Sequence, residues 1–495
     1  MTSQIASMND VATLLKEILD EERVMTDPET VAMFSRDTSL CAPRKPDVVV
    51  RVLTTQEVQA VVKLANAHNL PVTPRSSKTG FYGAGIPQQG GIVIDMSAMK
   101  KIRKVDVRNR WVLFEAGVTY GELQAELEKH GMRILNPLLP HESKSVISST
   151  LEREPKLTTK HHLDETIFTM EMVMPTGEIF HTGSMSIAPE APEKISDDLP
   201  CDLCNFHGPG LDWFRLIPGS LGSFGIVTVM NAKIDLIPES KKTIYFGFDT
   251  LEDCVAPVYR ILRKLIGDEC FILNSRSLAT MLAEEASEIN RIGALLPNYI
   301  VVLNLTAGQW FPEEKMAYQM AALKEISQTF MLKPMETLPN VPEMETAMDR
   351  ILYQPCAGGS YWKSRAKGAS GDVFFLTPLQ RAPAFLKQIE KAAAQNNYLK
   401  SDIGIYLQPK QNGRAFHMEA GFPYDPESPE DREKARTLHQ SVSEALLNQG
   451  AFFYRLYGPW VDMVYARTGN LQPTLKRIKK TLDPKNILSP GKLGV

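Results

Sequence analysis

Cysteine is scarce. Six in 495 residues are too few for a disulfide scaffold, and such sparse thiols fit a reducing, cytoplasmic setting. Charge of one sign is lacking too: 55 Lys and Arg against 58 Asp and Glu leave a net −3, no electrostatic footprint for nucleic acid. The opening MTSQIASMNDVATLLKEILDEERV carries acids where a secretory leader needs a basic stretch and an unbroken apolar run. The longest uncharged stretch, Leu216 to Ala232, is full of Gly, Ser and Pro, which argues against a membrane span. No G-x-x-x-x-G-K-[ST] loop, G-x-S-x-G elbow or H-E-x-x-H helix occurs, so nucleotide hydrolysis, serine hydrolysis and zinc proteolysis lose their motifs. No solenoid or propeller repeat is visible. What remains is an ordinary globular composition, 43% hydrophobic with 31 Gly and 33 Pro, long enough for about three units of roughly 150 residues.

Residues 1–42 read as one acidic amphipathic helix (Val11, Leu14, Leu15, Ile18) and a loop, an N-terminal extension. A strand, Val48–Val52, then meets Thr54-Thr55-Gln56-Glu57, a capping box ahead of Val58, Val61, Val62 and Ala65 on one helical face. A strand at 72–74, a glycine loop, the strand 92–95, the strand 111–116 and a helix capped by Thr119 and Glu122 follow, then a hairpin around Pro175-Thr176-Gly177 and a strand at 226–229. Ile237-Pro238 marks a boundary. Beyond it, helical patterns at 254–266, 312–332, 382–395 and 429–448 alternate with strands at 299–305, 373–376, 403–407 and 416–420. A basic helix from Leu471 and a Gly/Pro-rich end close an α+β chain.

Two ligand motifs are weak. Cys201-Asp202-Leu203-Cys204 is a lone C-x-x-C, and His161-His162 with Asp164 lacks further spaced ligands, so no metal site is expected. Three small-residue loops carry more information. Pro74, Arg75, Ser76, Ser77, Lys78, Thr79, Gly80, Phe81, Tyr82 and Gly83 follow a strand directly and can present backbone N–H groups to a phosphate. A second run spans Ser143 to Thr150 and includes Ser145, Ser148 and Ser149; a third spans Pro218 to Val227 and includes Gly222, Gly225, Ile226 and Val227. Three such loops suit an extended ligand with a pyrophosphate.

Pro46-Asp47-Val48-Val49-Val50, the loop from Pro74, Ile94 to Ile102, Glu115-Ala116-Gly117-Val118-Thr119-Tyr120 and the closing Leu482 to Lys492 together resemble the flavoproteins of the vanillyl-alcohol oxidase and p-cresol methylhydroxylase type. The resemblance implies an FAD-binding domain in two α+β halves over 43–238, a cap domain over 239–455 and a C-terminal return over 456–495, with Lys492 among the cofactor contacts. The first loop has no His and Asp372 stands where some members attach flavin in the cap, so the expected FAD is dissociable.

The hydroxy-acid branch of the resembled family usually carries Gly-His-x-Gly-Asp-Gly-Asn and Gly-Glu-His-Gly elements, and neither is present. Tyr82 and the pair Tyr454-Arg455 instead resemble the phenolate-holding residues of the phenol branch. A phenol near pKa 10 must ionise to push hydride from its para substituent, and Arg with hydroxyl donors favours the anion. The acid expected near flavin N5 falls at Asn136-Pro137, leaving His141 or Glu142 for that role. The resemblance thus implies an FAD-dependent oxidoreductase moving hydride from a small aromatic substrate, a para-substituted phenol or 4-hydroxybenzyl alcohol, to flavin N5. Two alternatives stay open: a 2-hydroxy-acid dehydrogenase of the lactate or glycolate type, and a flavin-binding electron-transfer subunit. A cytochrome or iron–sulfur subunit and O2 are the electron acceptors considered, and a homo-oligomer is the default assembly.

Overall fold

The computed structural model describes residues 8–77, 79–187, 204–338, 341 and 343–495. Lys78 and Cys201 of the motifs above lie outside the described residues.

Local rules build the first layer. Thr54 accepts the Glu57 N–H at 3.2 Å and starts the helix Thr55–His68, whose Val58, Val61, Val62 and Ala65 are buried, and Asn69 in the left-handed region ends it. The strands Val48–Arg51, Ile92–Asp95 and Val72–Arg75 lie side by side, parallel, in that order. A second sheet is antiparallel: Ile102–Asp106, Trp111–Glu115, Ile226–Leu236, Ile167–Val173 and Ile179–His181, with Met132–Ile134 joined to the far end of Ile226–Leu236. Both sheets feed one apolar core.

The third sheet is also antiparallel and runs Ser240–Phe248, Tyr299–Ala307, Glu269–Asn274, Gly404–Lys410, Ala415–Gly421, Val373–Thr377. Apolar residues of the helices Leu251–Lys264, Pro312–Phe330, Ala382–Gln395 and Pro429–Asn448 join one core cluster with this sheet, and a second cluster includes Met344–Tyr353. The chain then returns. In the helix Leu471–Leu482, Lys479 Nζ donates to Asp483 and to the carbonyls of Ser223 and Leu488, each at 2.7 Å, and the Ser489 N–H reaches Val72 O at 2.7 Å.

The reading of residues 1–42 as one helix and a loop is corrected. Val24–Met25 pairs antiparallel with Val48–Arg51, and a second helix, Pro28–Phe34, begins at the cap Asp27 with Pro28 in its first turn. Phe34 packs with Val49 and Val93, while Val11, Leu15 and Leu19 enter the first core. The N-terminal segment is an edge of the sheet because its apolar residues have that sheet to cover.

Candidate functional site

The three small-residue loops converge on one cleft. Pro74, Arg75, Ser76, Ser77, Thr79, Gly80, Ser148, Gly222, Gly225 and Val227 line it. Gly222 has φ +77°, and a Cβ there would stand 2.7 Å from Pro74 Cγ, so only glycine brings the third loop this close to the first. Gly83 has φ +75°, and a Cβ would meet Cys41 Sγ. A cleft floored by small residues and backbone suits a phosphate-bearing ligand held by main-chain N–H groups.

Other expected contacts are placed elsewhere. Strand alternation sends Gly225 and Val227 to the cleft and Ile226 into the core. Ser145 caps the short helix Val146–Leu151 and donates to Ala116 O at 2.7 Å, and Ser149 donates to Glu154 at 2.5 Å; both are fully buried and off the cleft. Lys492 donates to the carbonyls of Gly83 (2.9 Å) and Ala84, so it holds the glycine loop, and burial pushes its ammonium down to about 8. Asp37 was not foreseen: it lines the cleft and accepts the Gly83 N–H at 2.8 Å.

Near the cleft a cage of aromatic rings packs around Arg455, which is 2% exposed. Its guanidinium carbon stands 4.6 Å from the Tyr82 ring, 4.4 Å from Phe374 and 5.5 Å from Tyr457. Tyr82 and Tyr457 stack at 5.1 Å. An Arg455 Nη is 3.4 Å from the Tyr457 hydroxyl and 3.9 Å from Glu154, while its Nε has no partner. Tyr454 places its hydroxyl 3.0 Å from His417 Nδ1. The structure thus brings Tyr82, Tyr454 and Arg455 together and adds Tyr457 and Phe374. His141 is set apart from Arg455: its Nδ1 lies 2.9 Å from Ser143 Oγ, and its ring stands 5.4 Å from Tyr361, which stacks on Phe81 at 4.8 Å. Asn136 is buried, with its amide on the carbonyls of Pro137 and Leu352.

A buried ionic network reaches from Glu152 at the cleft to Glu154 beside Arg455. Lys144 Nζ bridges Glu152 (2.9 Å) and Glu154 (2.5 Å) and stands 5.1 Å from the Phe81 ring. Burial raises the Glu154 carboxyl, but Lys144 and Arg455 outweigh it and hold it at about 2. Burial brings Lys156, 2.9 Å from the Tyr120 hydroxyl, down to about 7. A second network joins Lys363 to Asp372 (2.6 Å) and Glu419 (2.5 Å). The two His–acid approaches of the His161-His162 segment are loose, at 3.9 and 4.0 Å. Among the described residues no group of His, Cys, Asp and Glu is placed to hold a metal, and no helix is long and apolar enough to cross a membrane.

Comparison with known proteins agrees with this geometry. Residues 46–183 match the family described as FAD binding domain, and residues 462–493 match FAD linked oxidases, C-terminal domain. A mitochondrial cytochrome-type D-lactate dehydrogenase of Arabidopsis thaliana is 24% identical, covering 90% of this chain and 73% of that protein. The flavoprotein subunit of 4-cresol dehydrogenase (hydroxylating) of Pseudomonas putida is 22% identical over 98% of this chain and 95% of that protein. The crystal structure of p-cresol methylhydroxylase with substrate bound superposes with a TM-score of 0.84 at 18% identity, covering 98% of this chain and 96% of that one. The chain has the p-cresol methylhydroxylase fold, carries an FAD-binding domain and is an FAD-dependent oxidoreductase.

Proposed function

We propose that this oxidoreductase takes hydride from a small phenol, a para-alkylphenol or 4-hydroxybenzyl alcohol, bound as its phenolate against Arg455. One observation carries the reading. Arg455 is a buried cation walled by Tyr82, Phe374 and Tyr457, with its nearest carboxylate, Glu154, 3.9 Å away and shared with Lys144. Such a cation is only partly neutralised, and the rings around it suit a flat aromatic anion. The Tyr454 and Tyr457 hydroxyls beside it supply the further polar contacts that lower a phenol's pKa. FAD, when bound, supplies the hydride acceptor, and Ser76, Ser77, Thr79, Ser148 and Gly222 would hold it. The relatives include both phenol and D-lactate dehydrogenases, so the hydroxy-acid reading is the competitor to test.

Anaerobic mixing of the holoprotein with para-alkylphenols, 4-hydroxybenzyl alcohols, lactate and glycolate separates the two. Flavin bleaching by the phenols is expected, and Arg455→Ala should lower kcat/KM about 100-fold, near 3 kcal/mol, the scale of truncating one member of a buried charge pair. Bleaching by hydroxy acids alone overturns the reading. Asp372 is committed to Lys363 at 2.6 Å and to Ser370 at 2.5 Å, which supports dissociable FAD. The flavin should stay in the supernatant after acid precipitation; yellow protein in the pellet contradicts this.

A further inference from the structure

The buried groups behind Tyr454 have no part in holding an anion, yet they stand in one row. The Tyr454 hydroxyl lies 3.0 Å from His417 Nδ1, His417 Nε2 is 3.4 Å from Glu419, Glu419 is 2.5 Å from Lys363 Nζ, and Lys363 is 2.6 Å from Asp372. Asp372, Lys363 and Glu419 line a small cleft that also includes Arg276 and Asp402, and Asp372 borders a second, larger one. His417 is fully buried, and its Nε2 lies 3.4 Å from Glu419 without an aligned hydrogen bond, the longest step of the row.

We propose that Tyr454, His417 and Glu419 form a proton relay that carries the phenolic proton from the Arg455 cage to the Lys363–Asp372 pair at the cleft wall. The proposal rests on the phenolate reading above. The substrate O–H gives its proton to the Tyr454 oxygen as the Tyr454 hydroxyl gives its own to His417 Nδ1. The Nε2 proton passes to Glu419, Lys363 hands one proton to Asp372 while regaining one from Glu419, and Asp372 releases it to water. One proton leaves, each relay group returns to its starting charge with His417 in its other neutral tautomer, and nothing is oxidised or reduced.

The charges around His417 suit this. Burial pushes its imidazole down to about 4, so it is neutral and able to accept. Arg455 and Lys410 also disfavour its charged form, whereas Glu419 favours it. Burial raises Glu419, but Lys363 and His417 hold it ionised, at about 2. The Tyr406 and Phe374 rings, 5.6 and 6.0 Å away, fill the remaining sides. Tyr454 would touch the substrate; His417 and Glu419 act through it as positioning residues.

The probe is 4-nitrophenol, which has no hydride to give and whose phenolate absorbs in the visible. Stopped-flow mixing with FAD-loaded protein, at a pH one unit below the probe's own ionisation, reads two quantities. The amplitude of the phenolate band reports the Arg455 cage; the rate of its appearance reports the relay. His417→Gln and Glu419→Gln should keep the amplitude and slow the rate at least ~100-fold, the usual weight of positioned proton transfer. Imidazole added to His417→Ala should restore part of the rate. A wild-type rate in both Gln variants overturns the relay and leaves the cage standing. Absence of the band in the wild-type protein overturns the phenolate reading, and the relay with it. Should His417→Gln fail to take up FAD, Glu419→Gln alone decides.

Discussion

A buried imidazole that stays neutral leaves a mark on stability. His417 is fully buried and titrates near 4, while in the unfolded chain a histidine titrates near 6.5. Between those values the unfolded state binds the extra proton, so stability rises with pH there. The native protein should lose stability as pH falls from about 6.5 to 4, a limb that His439, also pushed down to about 4 by burial, shares, and His417→Gln should lessen its slope, read as urea midpoints across pH. An unchanged slope would mean that the imidazole is not held neutral. Sequence showed Tyr82, Tyr454 and Arg455 as candidates because they fall in motif-like runs. Tyr457, two residues past Arg455, carried no such signal, and His417, although it stands in a run, Arg414 to Glu419, similar to the cap of the phenol branch, had no role readable there, since the rings they meet come from other elements.

At the scale of the element, caps and alternation were legible and their consequences local. Thr119 and Glu122 do form a reciprocal capping box, and the strand Ile226–Leu236 continues past the four residues read from sequence because its far end pairs with Met132–Ile134. The helix Ser275–Leu282 escaped notice; Asn274 caps it, but its eight residues are too few for a clear period. The returning helix Leu471–Leu482 shows how an element reaches a site it does not line. Lys479 binds Asp483 and, through Ser223 O, steadies the third cleft loop. Lys479→Met leaves Asp483 buried without its cation and should cost about 3 kcal/mol in chemical denaturation, with weaker FAD binding. Wild-type values for both would show that the pair is dispensable.

At the scale of the molecule, the site is a meeting of distant segments. Asp37 accepts the Gly83 N–H, Lys492 grips the same loop from the other end of the chain, and Arg455 meets Phe374 across the third sheet. Asp37→Ala leaves the Gly83 N–H without its acceptor and should raise the FAD Kd about tenfold, on the order of 1.5 kcal/mol, in a titration of apoprotein. An unchanged Kd would show that the glycine loop keeps its shape without the N-terminal segment.

The α+β layering, the caps that start the helices and the three loops too small to fill a cleft are written in local sequence, because each depends on a residue and its near neighbours. Tertiary structure alone decided that Ser145 and Ser149 turn into the core, that the N-terminal segment completes a sheet, and that Arg455 lies among Tyr82, Phe374 and Tyr457. Those outcomes depend on which buried groups meet, and burial couples residues hundreds of positions apart that no local pattern relates.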